Sequence, residues 1–334
     1  MKNLRPVILL NTIRKCMSLI VLERIRHKID SYLPTSKSGF RPGRSTSDVV
    51  MTYKWMIAKA SRYNLEFHIT GIDMSAFDTI NRDTLLQVLN GIINEDELRI
   101  IRFLLSQTGL NLNLRRTLDN VYFDTNTGVP QGDSLSPVLF TVYLEHALRG
   151  IRGRSNDHIP NEISYADDVD FIRLNEKANV DLIGTHLISF NLKVNKDKTE
   201  YTVIKREELV KENWRLTKKL GSLLGDKEDI TRRKQLAVNA MNKKTALWNR
   251  KEKNRLKTRP RLYNSLVKPV LLYNSNTWAL TKDDELKLNT FHRKQLRKII
   301  GLKYPHRISN KHLYDRCTAR PLSLYNNNNN NFIL

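Results

Sequence analysis

The first part of the chain has apolar residues at helical spacings in two segments. Over residues 7–29 apolar side chains recur three and four positions apart, with charged residues between them. A similar segment covers residues 47–63, after a loop that contains glycines, a proline and two arginines. The pattern therefore predicts two helices, with Arg41 and Arg44 in the loop close to the start of the second helix.

Short apolar runs and helical segments then alternate up to residue 204. A β-rich run at residues 66–73 ends on Asp73 and predicts a buried central strand. Residues 163–172 predict two short strands with acidic residues at the bend, and period-two alternation predicts a hairpin near residues 110–114 and 121–123. The other segments predict helices at residues 82–89, 96–106, 138–148 and 180–190, and a strand at 201–204.

The basic residues are concentrated in the last third of the chain, which is rich in lysine and predicted to be largely helical. The net charge is +23, of which residues 1–204 carry +3 and residues 205–320 carry +20. A charge so unevenly distributed predicts a polyanionic partner such as nucleic acid. The alternative interpretation is an ordinary solvated surface.

The composition excludes several classes of protein. A length of 334 residues suggests about two domains, and two cysteines, Cys16 and Cys317, cannot build a disulfide framework. No segment approaches the roughly 18 consecutive apolar residues of a membrane span, and no signal-peptide pattern opens the chain. We therefore expect no membrane partner and an intracellular location, nuclear and/or cytoplasmic, rather than secretion.

Two adjacent aspartates, Asp167 and Asp168, stand at the predicted bend between apolar strand residues. Neighbouring carboxylates in such a place are costly to desolvate unless a cation neutralises them. Mg²⁺ takes carboxylate and phosphate oxygens, and Asp73 supplies a third carboxylate. Two such ions, about 3.5–4 Å apart, would activate an attacking hydroxyl and stabilise a leaving pyrophosphate. The alternative is a turn with solvated acids.

Several short motifs follow one another along the chain. They are Leu4-Arg-Pro-Val-Ile-Leu-Leu10, Ser38-Gly-Phe-Arg-Pro-Gly-Arg-Ser-Thr46, Asp73 with Ala76-Phe-Asp78, Gly128-Val-Pro-Gln-Gly132, Leu135-Ser-Pro137, Tyr165-Ala-Asp-Asp168, Leu192-Lys-Val-Asn-Lys-Asp-Lys-Thr199 and Leu220-Gly221. In their order and spacing the chain resembles the reverse transcriptase of non-LTR, or LINE-like, retrotransposons. The Tyr-Ala-Asp-Asp tetrapeptide alone is weakly specific, whereas its position downstream of the Pro-Gln-Gly loop and the Asp73 strand is highly specific.

The resemblance implies an α+β right-hand polymerase fold. It assigns fingers and palm to residues 1–204 and a basic helical thumb and C-terminal region to residues 205–320, before a low-complexity tail at 321–334. The implied activity is that of an RNA-directed DNA polymerase, which joins dNTPs to the 3′-hydroxyl of a DNA primer on an RNA template. The implied cofactor is a pair of Mg²⁺ ions, with Mn²⁺ as the alternative.

The resemblance also implies roles for residues around the metals. Asp73 and Asp167 would ligate both ions, and Asp168 would assist at the site. Lys198 is a candidate proton donor to the departing pyrophosphate. Arg5 matches the fingers arginine that meets the nucleotide triphosphate, where a guanidinium binds phosphate oxygens through two donors.

Further roles concern the nucleotide and the primer. Arg41 is a candidate for nucleotide or nucleic-acid binding, and Gln131 would lie against the template and the nascent base pair. Phe77 matches the ring that excludes ribonucleotides by crowding the 2′-carbon of the sugar. Leu220 and Gly221 match the primer-grip turn. For Arg5 and Arg41 the alternative is an ordinary surface residue, and for Phe77 it is a core residue.

Two departures from the family pattern bear on activity. Only Met74, Ser75 and Ala76 separate Asp73 from Phe77, one residue fewer than in the family, and a one-residue shift turns side chains of a strand to the opposite face. The chain also begins within the fingers, without the family's endonuclease domain. A truncated copy of a decayed element is therefore expected, and a catalytically inactive nucleic-acid-binding remnant is the alternative function. An RNA-directed RNA polymerase is disfavoured if Phe77 acts as the gate.

Overall fold

A computed structural model describes residues 8–74, 77–106, 109–113, 120–152, 161–206, 214–249, 258–302 and 305–322. The chain forms two compact units, residues 1–49 with 56–208 and residues 50–55 with 209–334. The domain boundaries at residues 204 and 320 stay predictions, and the predicted tail at 321–334 lies outside the described residues from residue 323 onward. In the described segments, no helix has both the length and the apolar character needed to cross a membrane.

An antiparallel sheet of four strands is the centre of the first unit. Its second and third strands in space, β5 and β1, are flanked by β4 and β6. β1 is buried at every position except His68, as expected for a central strand of apolar and β-branched residues. The strands predicted here are confirmed, with bounds β1 (Phe67–Ile72), β4 (Glu162–Tyr165), β5 (Asp168–Leu174) and β6 (Glu200–Ile204).

Helices and a separate hairpin complete the first unit. α5 is buried on nearly all sides because it is apolar around its whole circumference. It packs against α3 and α6, and its side chains form the middle of the main apolar core. The helices are α1 (Thr12–Tyr32), α2 (Thr46–Tyr63), α3 (Arg82–Asn90), α4 (Glu95–Ser106), α5 (Ser136–Arg149) and α6 (Val180–Ile188), and the hairpin strands are β2 (Gly109–Asn113) and β3 (Asn120–Asp124). Residues 50–55 of α2 are counted in the second unit.

The first helix begins later than the apolar spacing predicts. α1 starts at Thr12, where the Asn11 side chain accepts a hydrogen bond of 2.8 Å from the Arg14 N–H. The preceding Ile8 donates its own N–H to the Gln131 carbonyl at 2.9 Å. The Asn11 cap therefore sets the start of α1, and the predicted start at residue 7 is wrong.

The second unit is helical around its own apolar core. This core includes Trp248, Tyr263 and Trp278, and the largely helical prediction is confirmed. The sequence did not reveal a short hairpin, because two-residue strands show no periodic pattern. The elements are β7 (Lys218–Lys219), β8 (Ser222–Leu223), α7 (Asp226–Lys243), α8 (Thr245–Asn249), α9 (Thr258–Leu266), α10 (Lys268–Leu271), α11 (Lys282–Ile299) and α12 (Asn310–Cys317).

Candidate active site

The sheet brings the three aspartates to one of its ends. Ile72, the last residue of β1, pairs with Val169 of β5, so the next position of the same antiparallel register is Asp73 opposite Asp168. Asp167 and Asp168 follow Ala166, which has a left-handed backbone φ of 57° and turns the chain from β4 into β5. Asp167 and Asp168 lie 94 and 95 positions after Asp73 in the sequence. Strand pairing brings them to the same end of the sheet as Asp73.

Lys198 joins this end of the sheet. Its ammonium lies 2.9 Å from Asp73 Oδ2, and it stands on a single 3-10 turn, Lys196–Lys198. The turn is held beside β1 by the Asn195 N–H, which donates to the Asp73 carbonyl at 2.9 Å. The ion pair neutralises the Asp73 carboxylate and leaves the lysine side chain 56% exposed.

The donor chemistry of this end suits a hard divalent cation. Asp73, Asp167 and Asp168 offer only carboxylate oxygens, which are ligands that Mg²⁺ and Mn²⁺ prefer. Among the described residues, however, no group of three or more His, Cys, Asp or Glu side chains is arranged to hold a metal ion. One Asp73 oxygen is paired with the Lys198 ammonium instead.

The loop Gly128–Gly132, here called the glycine-bounded loop, packs against residues 77–80, which follow Asp73 in the sequence. The Val129 N–H donates to the Phe77 carbonyl at 2.9 Å, and the Gly128 N–H donates to the Ile80 carbonyl at 2.8 Å. Gly128 has a φ of 75°, and a Cβ there would lie 2.8 Å from the Asp78 Cα, so only glycine suits the position. Gln131 donates its side-chain amide to Asp78 Oδ1 at 3.3 Å.

Phe77 is half-buried against the core. Its ring centroid lies 4.8 Å from that of Phe140 on α5, in contact with the main apolar cluster. Phe77 is thus attached to the core, whereas Ser75 and Ala76, which precede it, lie outside the described residues. The role of Phe77 as a sugar gate, and the effect of the short spacing from Asp73, stay predictions.

Arg82 was missed by the sequence analysis. Its guanidinium donates to the carbonyls of Gly128 at 2.8 Å and Leu105 at 2.9 Å, and also to carbonyls of Thr125 and Thr127. Burial lowers the pKa of this arginine from its ordinary value. Arg82 therefore fixes the start of the glycine-bounded loop from the first turn of α3, and nothing in the local sequence distinguishes it from a surface arginine.

The two predicted nucleotide-binding arginines are not brought to the aspartates by the described contacts. Arg41 donates to Asp30 Oδ1 at 2.6 Å and to the carbonyls of Pro34, Lys37 and Asp30, and this pair lowers the pKa of Asp30. It thereby ties its loop to the end of α1. Arg5 lies outside the described residues. Nucleotide binding by either arginine stays a prediction.

Leu220 and Gly221 form the tight turn between β7 and β8 in the second unit. Both have left-handed backbones, with φ of 44° and 81°, as two-residue hairpin turns require. The Tyr273 hydroxyl donates to the Leu220 carbonyl at 3.0 Å, and Arg232 donates to the Gly221 carbonyl at 2.8 Å. The geometry makes this a rigid turn, and its primer-grip role stays a prediction.

A family model described as reverse transcriptase (RNA-dependent DNA polymerase) matches residues 1–247. The chain belongs to this family, and the predicted right-hand polymerase fold is confirmed.

Solved structures give distant similarities. The RNA-dependent RNA polymerase of a human picobirnavirus, an insertion-loop deletion mutant, is 13% identical with a TM-score of 0.48, covering 90% of this chain and 55% of that one. Telomerase from Candida tropicalis, in complex with a telomeric RNA fragment, is 12% identical with a TM-score of 0.46, covering 89% and 53%. The chain thus spans little more than half the length of either protein.

Proposed function

We propose that this protein is an RNA-directed DNA polymerase of the non-LTR retrotransposon type, which adds dNTPs to a DNA primer on an RNA template. The observation that carries the proposal is the pairing of Ile72 with Val169, which brings the end of β1 that leads into Asp73 beside the β4–β5 turn of Asp167 and Asp168. Membership of the reverse transcriptase family supports it. The non-LTR assignment rests on the motif order described above.

The aspartates would hold the metal ions. Asp73, Asp167 and Asp168 are the residues for this role, with Mg²⁺ or Mn²⁺ as the ion, and a bound divalent ion supplies charge neutralisation for phosphoryl transfer. The Lys198 ammonium would then be released from Asp73 and would stand as a proton donor to the leaving group. The ammonium lies 2.9 Å from Asp73 Oδ2 on a side chain that is 56% exposed, and this exposure permits the exchange.

The nucleotide and primer contacts follow the family motifs. Gln131 would face the template and the nascent base pair, and Phe77 would exclude ribonucleotides. Arg5 would meet the triphosphate, as its place in the family motif implies. Leu220 and Gly221 would contact the primer through the β7–β8 turn.

The test is primer extension with Mg²⁺ on a poly(rA) template and an oligo(dT) primer. We expect the wild-type chain to extend the primer and the Asp167→Ala/Asp168→Ala variant not to do so. The matched control is Glu95→Ala/Asp96→Ala, which removes two neighbouring exposed carboxylates from the first turn of α4. Equal extension by the wild type and the Asp167→Ala/Asp168→Ala variant would contradict the proposal.

A second candidate is a nucleic-acid-binding protein without catalysis. The Asp73 pairing with Lys198, and the short spacing from Asp73 to Phe77, favour it. It predicts salt-dependent RNA binding by a folded wild-type chain that extends no primer. Insertion of one residue after Ser75 would then restore extension if the spacing is the cause.

A further inference from the structure

The loop before α2 continues the sheet beside the turn that carries Asp167 and Asp168. The Ser164 N–H donates to the Ser36 carbonyl at 3.0 Å, and the Ser38 N–H donates to the Ser164 carbonyl at 3.0 Å. These two bonds form a parallel bridge between Lys37 and Ser164. The edge strand β4 is therefore paired on both sides immediately before Tyr165 begins the turn.

Gly39 makes the closest approach to the turn itself. A Cβ at this position would overlap the Ala166 backbone nitrogen and lie 3.0 Å from the Ala166 Cα. Its backbone is not left-handed, so space, rather than conformational freedom, is what requires glycine here. The turn cannot move to accept a side chain at Gly39 without displacing Ala166, and Asp167 is bonded directly to it.

A buried cluster of charges anchors the same loop. Lys37 is 1% exposed and Glu145 of α5 is fully buried, with 3.8 Å between Lys37 Nζ and Glu145 Oε2. Arg152 donates to both Glu145 oxygens, at 2.6 and 2.7 Å, and also to Glu162 of β4. Burial lowers the Lys37 pKa to about 8 in spite of the nearby glutamates. The cluster joins the loop, α5 and β4, the three elements around the turn.

We propose that residues 36–40 position the metal-binding turn, with Gly39 setting the place of Ala166 and Lys37 anchoring the loop to Glu145. Gly39 and Lys37 are positioning residues, which act through Asp167 and Asp168. The inference rests on the proposed function for its catalytic meaning. Its structural part, that the loop sets the metal affinity of the two aspartates, stands apart from that function.

The test compares the wild-type chain with Gly39→Ala in two measurements. The first is the affinity for Tb³⁺, measured by terbium luminescence. Only the part of the luminescence that disappears in the Asp167→Ala/Asp168→Ala variant is counted as binding at these aspartates. We expect about tenfold weaker binding in Gly39→Ala, as for residues that orient metal ligands. The second is primer extension, where misplacement of about 1 Å lowers kcat by about 100-fold. The KM for template and primer is expected to change little, whereas the thermal midpoint is expected to fall, because the added methyl group must displace the Ala166 backbone.

The matched control is Gly184→Ala. Gly184 is a glycine of α6 whose added Cβ would meet nothing within 4 Å, and we expect its Tb³⁺ affinity and kcat to equal those of the wild type. Wild-type Tb³⁺ affinity and kcat in Gly39→Ala would overturn the inference. Should the wild-type chain extend no primer, the proposed function fails, while weaker Tb³⁺ binding by Gly39→Ala still supports the loop's role.

A second variant covers the case in which Gly39→Ala does not fold. Lys37→Met keeps the backbone bridge and removes only the buried ammonium, and Lys15→Met, on the exposed side of α1, is its control. We expect Lys37→Met to weaken Tb³⁺ binding by the aspartates and to lower kcat, with RNA affinity unchanged. Wild-type Tb³⁺ binding in Lys37→Met would overturn the inference in that case.

Discussion

In the first unit, charged side chains are buried against one another and against backbone carbonyls, whereas the helices of the second unit carry many exposed lysines. Lys37, Glu145 and Glu162 are buried in the first unit, and residues 1–204 have a net charge of only +3. Residues 205–320 carry +20, and exposed Lys294 and Lys298 lie one turn apart on α11.

The difference separates two uses of charge. A buried ion pair holds one geometry because each partner is costly to leave alone, so it suits a centre whose carboxylates must be positioned. Exposed positive charge acts at longer range on phosphates and tolerates many geometries. The second unit also contains a buried ion pair, between Asp229 and Arg233 beside the β7–β8 turn.

The largest expected effect is on the buried cluster of the first unit. Glu145→Gln leaves Lys37 and Arg152 facing a neutral amide, and breaking a buried pair costs about 3–5 kcal/mol. We expect a decrease of this size in the free energy of unfolding, measured in urea. Glu95→Gln, at an exposed position of α4, should stay close to the wild type. If the free energy of unfolding decreased as little in Glu145→Gln as in the control, Glu145 would not be paired with Lys37 and Arg152 in a buried cluster.

The next effect concerns a buried histidine in the second unit. Burial, with Lys268 nearby, lowers the pKa of His292 from 6.5 to about 4, and its Nδ1 lies 2.9 Å from the Tyr263 hydroxyl. Between these pH values the unfolded chain binds more protons than the folded one, so stability falls as pH is lowered, by up to about 1.4 kcal/mol per pH unit.

The measurement for His292 is urea unfolding between pH 7 and pH 4. His292→Gln should remove most of the decline, whereas His312→Gln, at an exposed position of α12, should keep it. An equal pH dependence in the wild type and His292→Gln would contradict the burial of a neutral imidazole.

A smaller effect on stability is expected from the Lys198–Asp73 ion pair, which lies at the surface of the first unit. Lys198→Met removes a partly exposed ion pair with Asp73 and should change stability by less than about 1 kcal/mol. If Lys198 donates a proton, kcat for primer extension falls by about 100-fold or more. Lys196 stands on the same 3-10 turn as Lys198 and forms an exposed ion pair with Asp181 of α6. Lys196→Met breaks this pair and should leave kcat unchanged. Equal kcat in both variants would remove Lys198 from the mechanism.

The smallest effect on stability is expected for the exposed lysines of the second unit. Lys294→Ala/Lys298→Ala should weaken RNA binding and reduce the slope of log affinity against log salt by about 0.7 for each phosphate of a single strand that is no longer neutralised. Filter binding at several salt concentrations measures it, with Lys15→Ala of the first unit as control. An unchanged slope would exclude this face of α11 from RNA binding. The basic residues Arg250, Lys251, Lys253 and Arg255, also candidates for this role, lie outside the described residues.

Local signals in the sequence predicted most elements of the first unit. The loop rich in glycine and proline marks the start of α2, which begins at Thr46, one residue before its predicted place, and acidic residues at the bend between β4 and β5 mark the turn. The start of α1 was predicted too early because the apolar spacing continues ahead of Asn11, the residue whose side chain caps the helix. Hydrophobic periodicity also contains no information on the distant Gln131 carbonyl, to which Ile8 donates its N–H.

The sequence predicts which residues form the candidate site but not which residues support them. The motif order points to Asp73, Asp167 and Lys198, and the 3-10 turn places the Lys198 ammonium 2.9 Å from Asp73 Oδ2. The catalytic roles of these residues stay predictions. Lys37, between two serines in a loop, has the sequence pattern of an exposed lysine, yet it is buried against Glu145. Its role depends on α5 and β4, more than a hundred residues away, and no local pattern reveals it.

The most direct test of the account is primer extension by Asp73→Asn, because the fold, rather than a sequence motif, brings Asp73 to the other two aspartates. The isosteric amide keeps the shape of the site and removes the carboxylate charge. The account predicts that extension on poly(rA) with oligo(dT) is abolished, while RNA affinity and the thermal midpoint match the wild type. Extension at the wild-type rate by Asp73→Asn would contradict a catalytic centre at this end of the sheet.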